Sequence, residues 1–429
     1  MRRSHAVTVS FTMVTMLALA ACGGGGDSGS GGGDSKTVRV TLANHVWTDN
    51  IKKALPEFEK ETGIKVELTQ LGEDQLSDQY NVKLNAGTDE IDVMMYRPLQ
   101  EGKLFAKNGY LSDLTDKVNG DADYAWSDFQ AAPVSATSEE DKVMGVPIIT
   151  EREVLYYRKD LLTKAGLEVP KTLDELASSA AKIKADNPGT AGFVARTAKT
   201  AAVTQFSSFL FSYGGDFTKD GAASVNTPEA KAAYAMYGGL IKDSGPANVS
   251  TDMSWPDSMA IFTQGQAGFY TEADSLYKNA TDTAKSKVAD TVGFAVFPAG
   301  PAGSKPYNIP SWALGVNDAT KNDDSAWAFI KWATSKDQVL TQQQAGVPGA
   351  RQSAWDDPKG IESYPADLAE AIKASQTSGV DHDRPVVVQV AKAREIVGAP
   401  IVDAITGKDS GASADAAQQA FQKFLDEEK

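Results

Sequence analysis

The chain is 429 residues long, with 41% hydrophobic and 23% charged residues, a length that suits two or three domains and a composition that can bury a core. Disordered, collagenous and polytopic membrane chains are excluded by that balance. Lys and Arg number 42 against 57 Asp and Glu, a net charge of −15, which argues against nucleic acid or an anionic lipid surface as partner.

Residues 1–21 have the zones of a secretory signal: Arg2 and Arg3, an apolar stretch from Ala6 to Leu19, and a small-residue exit at Ala20 and Ala21. The apolar stretch is shorter than the roughly 20 residues a spanning helix needs. The only cysteine, Cys22, follows directly. Leu19-Ala20-Ala21-Cys22 resembles a bacterial lipobox, which implies cleavage before Cys22, a lipid on its sulfur and attachment to the outer face of the cytoplasmic membrane. Residues 22–36 then read as a tether: GGGGDSGSGGGDS has no apolar side chain and spans about 20 Å on average as a random coil.

From residue 37 strands and helices alternate. Val38, Val40 and Leu42 give a strand, Ile51, Leu55 and Phe58 a helix that Gly63 stops, and Ile64, Val66 and Leu68 a second strand, so residues 37–69 form a βαβ unit. A helix from Gln75 to Asn85, a buried strand Ile91–Met95, a helix ending at Gly109 and a strand Val146–Ile149 continue the pattern. It restarts with a strand Val154–Tyr157 and the capping box Thr172-Leu173-Asp174-Glu175. Helices follow at Ala201–Tyr213 and Thr227–Lys242, and strands at Ala267–Tyr270, Val292–Phe297 and Ala313–Val316, before a helical last hundred residues. The fold class is α/β.

Signals for chemistry are missing. Three histidines occur, His5, His45 and His382, with no HExxH or paired-cysteine set, so neither a metal nor a cofactor is expected. There is no phosphate-binding GxxxxGK[ST] loop, no GxGxxG after a strand and no GxSxG elbow. Two SxxK matches, Ser179–Lys182 and Ser275–Lys278, are at the chance rate and read as solvated helix faces. The chain is therefore not expected to be an enzyme.

Several segments, in order, carry a resemblance. They are Leu55–Val66, Ile91–Val93, Val154–Leu162, Pro298–Gly303, Ser311–Val316 and Ala326–Ser335. Together they resemble the extracellular solute-binding proteins (family 1) of bacterial carbohydrate ABC importers, the maltodextrin- and sugar-alcohol-binding lipoproteins. The resemblance implies a two-lobe periplasmic-binding-protein-like fold of type II, with ligand in a cleft between lobes joined by hinge strands. Lobe 1 is expected at 37–148 and 269–316 and lobe 2 at 149–268 and 317–429, with crossings near Pro147–Glu151, Gly268–Thr271 and Val316. The implied function is capture of a sugar, sugar alcohol or short oligosaccharide and delivery to membrane permease subunits served by a separate ATPase. The rivals are a secreted carbohydrate-active hydrolase or lyase, and a sensory solute-binding module.

A sugar needs an aromatic plane for its C–H face and amides, carboxylates and Arg for its hydroxyls. Ligands meet parallel sheets at the carboxyl ends of strands, which selects Trp47 and Asp49 after the first strand, Gln75 after the second, Tyr96 and Arg97 after the third, and Tyr270 and Glu272 at the end of the strand from Ala267. Resemblance to the family adds Glu151 and Arg152 at the crossing, Gly215, Trp312 as stacking aromatic, and Arg351 in its loop; Trp255, before Pro256, completes the expected substrate-binding set. Trp327 and Trp332 are at helical spacing with Phe329 and Ile330 and read as core. Arginines in the cleft would suit an acidic sugar as well as a neutral one.

Overall fold

A computed structural model describes residues 36–428; the expected signal segment, Cys22 and all of the tether before Lys36 lie outside the described residues. The strands are β1 (Thr37–Ala43), β2 (Lys65–Leu71), β3 (Val93–Tyr96), the short hairpin β4 (Ser138–Glu139) and β5 (Lys142–Val143), β6 (Val146–Arg158) and β7 (Ala191–Val194). A second short hairpin, β8 (Thr218–Lys219) and β9 (Ala222–Ala223), precedes β10 (Ala267–Ala273), β11 (Val292–Val296) and β12 (Asn308–Val316).

The βαβ unit forms as its alternation demands. Val38, Val40 and Leu42 are buried, and β1 pairs in parallel with β2, Val38 opposite Val66 and Val40 opposite Leu68. Between them runs the helix Val46–Thr62, capped at its start by the His45 ring, which accepts from Trp47 N, and at its end by Gly63 at φ 69°. Ile51 and Phe58 turn inward. A β-carbon is strained at that φ, which explains why the helix stops at this glycine.

Two further strands join the halves of the molecule. β6 is 13 residues long and belongs to both: Val146, Ile148 and Ile149 pack in a core with β1, β3 and the helix Asp323–Ala333, whereas Leu155 and Tyr157 pack with Phe193, Phe209 and Phe421. The other face of its second half, Val154 and Tyr156, meets Phe262, Tyr270, Phe294 and Trp355. β12 returns antiparallel to β6, Asn308 opposite Arg152 and Leu314 opposite Val146, then pairs with β3. The main sheet among the described residues therefore runs β2-β1-β3-β12-β6-β10-β7, with β11 also on β6.

Core membership differs from the expected lobe boundaries. β10 pairs with β6 and β7 and buries Phe269 and Tyr270 in the second half, so no crossing occurs at Gly268–Thr271. β11 also stays there. The return to the first half occurs within β12, around Asn308–Trp312, several residues before Val316. Ala326, Phe329, Ile330, Val347 and Ala350 then pack in the first core, and the chain re-enters the second half by Trp355. Periodicity identified the strands, but pairing partners decide which core a strand joins.

The hinge is pinned from inside. Arg152 and Asp274 are both fully buried, with Nη1 2.9 Å from Oδ2 and the Arg152 backbone N–H 3.0 Å from Oδ1. The guanidinium also donates to Thr150 Oγ1 and lies 5.1 Å from the Trp355 ring centre. Removing either partner would leave an unpaired buried charge, the arrangement that is most costly in a protein interior.

Candidate functional site

A cavity of about 580 Å³ opens between the two halves beside the hinge strands. From the first half it is lined by Glu73, Arg97, Leu99 and Gln100; from the strands, by Glu151 and Ile309–Trp312; from the second half, by Arg196, Thr204, Trp255, Asp383, Arg384 and Arg394, among others. Its walls combine two indole planes, Trp255 and Trp312, with fixed hydrogen-bonding groups, the mixture a sugar requires.

Trp312 supplies one plane. The β6–β12 register shifts on both sides of it, between Pro310 and Trp312 and between Trp312 and Ala313, and such irregularities re-aim a side chain out of the pleat. The indole is 8% exposed, and the Arg97 guanidinium lies 5.9 Å from its ring centre. Arg97 is fixed in turn: Nη2 donates to Glu101 Oε1 at 2.7 Å and Ser77 Oγ at 2.8 Å, and Nη1 pairs with Glu73. Its Nε is buried without a protein partner.

Across the cavity, Trp255 opens the helix Trp255–Thr263 and is 39% exposed. Ser254 and Asp257 form its capping box, and Pro256 sits in the first turn, so the helix start that presents the indole is rigid. Arg196, just past β7, donates from Nε to Glu272 Oε2 at 2.8 Å and from Nη2 to Oε1. Glu272 is fully buried and also accepts from Tyr270 Oη at 2.8 Å. These two residues thus lie one layer behind the wall and hold Arg196 in place.

Further along the wall, Arg384 makes two bonds of 2.6 Å to Asp383 and reaches across to Gln100 Oε1 at 2.9 Å, joining the halves. Its cationic neighbour holds the Asp383 carboxyl down at about 2, against the burial that opposes ionisation. Arg394, from the helix Val390–Val397, donates to Thr200 O at 2.7 Å and Thr204 Oγ1 at 2.9 Å. Glu151 accepts from Ser275 Oγ at 2.8 Å. Burial, with repulsion from Asp274 and Glu272, lifts its carboxyl to about 7.

Of the residues expected from sequence, Arg97, Glu151, Trp255 and Trp312 come together here, and Tyr270 and Glu272 support them from behind. Tyr96 is buried and lines a separate cavity of about 130 Å³ with Ser135, Asp381 and His382. Trp47 is buried in the first core, its carbonyl accepting from Gln342. Arg152 faces the hinge interior. Arg351 is buried too, donating to the carbonyls of Thr334, Ala125 and Tyr124 and to Asp128, over the Phe129 ring at 4.1 Å. Asp49 and Gln75 are exposed, pairing with Gln70 and with the Gly72 backbone, and Gly215 packs at Leu210. None of these seven lines the cavity.

Sequence reasoning missed Arg196, Arg384, Arg394 and Gln100. Arg196 had a usable signal, the short apolar run Gly192–Ala195 before it, buried as β7. Gln100, four residues past β3, had the same strand-end signal as Arg97; Arg384 and Arg394 had none, since a loop and a helix from the chain's last fifth are carried to the cavity by tertiary packing alone.

The sequence profile described as bacterial extracellular solute-binding protein matches residues 45–340. A probable ABC transporter-binding protein of Deinococcus radiodurans is 30% identical over 328 residues, 74% of this chain and 76% of its own length. A solute-binding protein of an ABC transporter from Agrobacterium radiobacter, solved with ribitol, superposes with a TM-score of 0.77 at 26% identity, covering 91% of this chain and 99% of the other. The maltose-bound MalE3 of T. maritima superposes with a TM-score of 0.76 at 28% identity, covering 90% and 100%. With two lobes, hinge strands between them and a profile match over most of its length, the chain belongs to the bacterial extracellular solute-binding protein family.

Proposed function

We propose that the cavity between the lobes captures a sugar, sugar alcohol or short oligosaccharide outside the cytoplasmic membrane, for delivery to the permease of an ABC importer driven by a separate ATPase. The observation that carries this reading is the pairing of Trp312 and Arg97 on one side with Trp255 and Arg196 on the other. Each wall supplies an indole plane for C–H groups and an oriented guanidinium, and each belongs to a different lobe. The relatives solved with ribitol and with maltose support the ligand class.

Capture follows from differential contact. A ligand that touches both walls binds the closed arrangement more tightly than the open one, and that difference is the free energy available to shift the equilibrium toward closure. A ligand held by one lobe would shift nothing. The chain performs no chemistry in this reading; its task is to bind, close and dock. The lipobox-like Leu19–Cys22 supports a lipid on Cys22 as the membrane anchor, with the Gly/Ser stretch as tether.

The test is a thermal-shift panel of monosaccharides, polyols, uronic acids and di- and oligosaccharides, because a solute that binds only the native state raises the midpoint by mass action. A selective, concentration-dependent rise is expected for members of one of these classes. No rise across the panel would overturn the carbohydrate reading, and shortened oligosaccharide products would overturn the absence of chemistry.

A further inference from the structure

The second-lobe wall carries more positive charge than its carboxylates cancel. Arg196 and Arg384 each have a bidentate partner, Glu272 and Asp383. Arg394 has no ion pair among the described residues, although it is only 8% exposed. Its hydrogen bonds go to neutral oxygens, Thr200 O and Thr204 Oγ1, and that same hydroxyl is 3.5 Å from Arg384 Nη2. Two guanidiniums therefore converge on one threonine beside one carboxylate, and Thr204 Oγ1 in turn donates to Asp383 at 2.7 Å.

The nearby acids do not fill the gap. Glu151 is lifted to about 7 by burial, so at neutral pH it is only partly charged. Glu73 is largely exposed and shares Arg97 with Glu101 on the opposite lobe, where water screens it. The strain appears at Arg394 itself: burial, and then Arg384 beside it, lower its proton affinity well below that of an ordinary arginine. A cation in this setting gains most from an anion brought in by the ligand.

We infer that the ligand of this cleft is an acidic sugar, a uronic or aldonic acid whose carboxylate is held by Arg394 and Arg384 while its ring or chain lies against Trp312. On the second-lobe wall the one surplus cation matches one carboxylate. A phosphate monoester, with a charge near −2 at neutral pH, would leave a negative charge over. This inference rests on the carbohydrate reading above and narrows it. A neutral sugar would leave Arg394 uncompensated as the lobes close over it.

Calorimetric titration of the protein with matched pairs tests this: galactose against galacturonate, glucose against glucuronate, and a hexitol against the corresponding aldonate. At least one acid is expected to bind tenfold or more tightly than its neutral partner, with affinity that falls as salt is raised. Arg394→Gln is expected to reduce that preference by at least tenfold, and Arg384→Gln provides the same reading should the first variant fold poorly. A neutral member that binds as tightly as its acid, or more tightly, would overturn this inference and leave carbohydrate capture standing. Binding of neither member of any pair would overturn both.

Discussion

Arg152 and Arg196 both grip a fully buried carboxylate, yet the first is part of the scaffold and the second part of the cleft. Arg152 is itself fully buried against Asp274 and the Trp355 ring, so every donor it has is turned inward. Arg196 has its carboxylate partner buried beneath it and its guanidinium at the cavity surface. Arg351 and Arg97 repeat the contrast in the other lobe, one spent on backbone carbonyls and the other facing Trp312. Arg196 faces the cavity over a dry carboxylate, whereas Arg152 and its partner are dry on both sides.

The hinge side of this comparison gives the largest expected effect. Arg152→Met should lower unfolding stability by about 3–5 kcal/mol, because the Asp274 carboxylate is left buried without its partner. Urea denaturation measures it, and a loss under about 1 kcal/mol would mean that water reaches the hinge interior.

His382 is an intermediate case, partly buried with Asp216 at 3.0 Å, Asp381 at 2.9 Å and the Phe211 ring alongside. Burial opposes its charge, but the hydrogen bonds it donates to the two aspartates prevail and raise it to about 9 from 6.5. Its folded value lies above the unfolded one. Its contribution is therefore complete below about pH 6.5 and is lost as pH rises through 9, by roughly 3 kcal/mol at most. Denaturation midpoints across that window should fall in the native protein and flatten in His382→Asn. Equal slopes in the two would contradict the pairing.

Cleft substitutions should separate binding from folding. Trp312→Leu removes the stacking plane while keeping apolar bulk under β12, so sugar affinity should drop at least tenfold, about 1.4 kcal/mol, for a stability loss of similar size or less. Trp255→Ala, at a more exposed position, should weaken binding by about 1 kcal/mol and shift stability by less than about 0.5 kcal/mol. Gln75→Ala, on an exposed helix start away from the cavity, should change neither measurably. An effect on affinity as large as that of Trp255→Ala would move the binding wall toward the first lobe's outer edge.

The sequence made the local fold legible wherever short-range signals suffice. Alternation at Val38–Leu42, the Gly63 stop and the Thr172–Glu175 box each decide structure within a few residues, and all three appear in the folded chain. Lobe membership was not legible in the same way. The buried run from Ala267 looks the same whether its partner is β3 or β7, and only the pairing puts it in the second lobe.

The candidate site divides along the same line. Arg97 was readable because it follows a strand end, and Trp312 was expected from the resemblance; both line the cavity. Trp47, chosen by the same strand-end rule, and Arg351, expected from the resemblance, both turn inward, and neither carries a local mark of that direction. Arg384 and Arg394 come from residues far along the chain, and nothing near them in sequence refers to the cleft.

The central claim is that ligand sits between Trp255 and Trp312, and the emission of those two residues tests it most directly. The chain has seven tryptophans; the double variant Trp255→Phe/Trp312→Phe leaves Trp47, Trp126, Trp327, Trp332 and Trp355 in place as internal reference. A saturating sugar identified by thermal shift should change the native protein's emission and leave that of the double variant nearly unchanged. An equal change in both would place the ligand elsewhere and contradict the account.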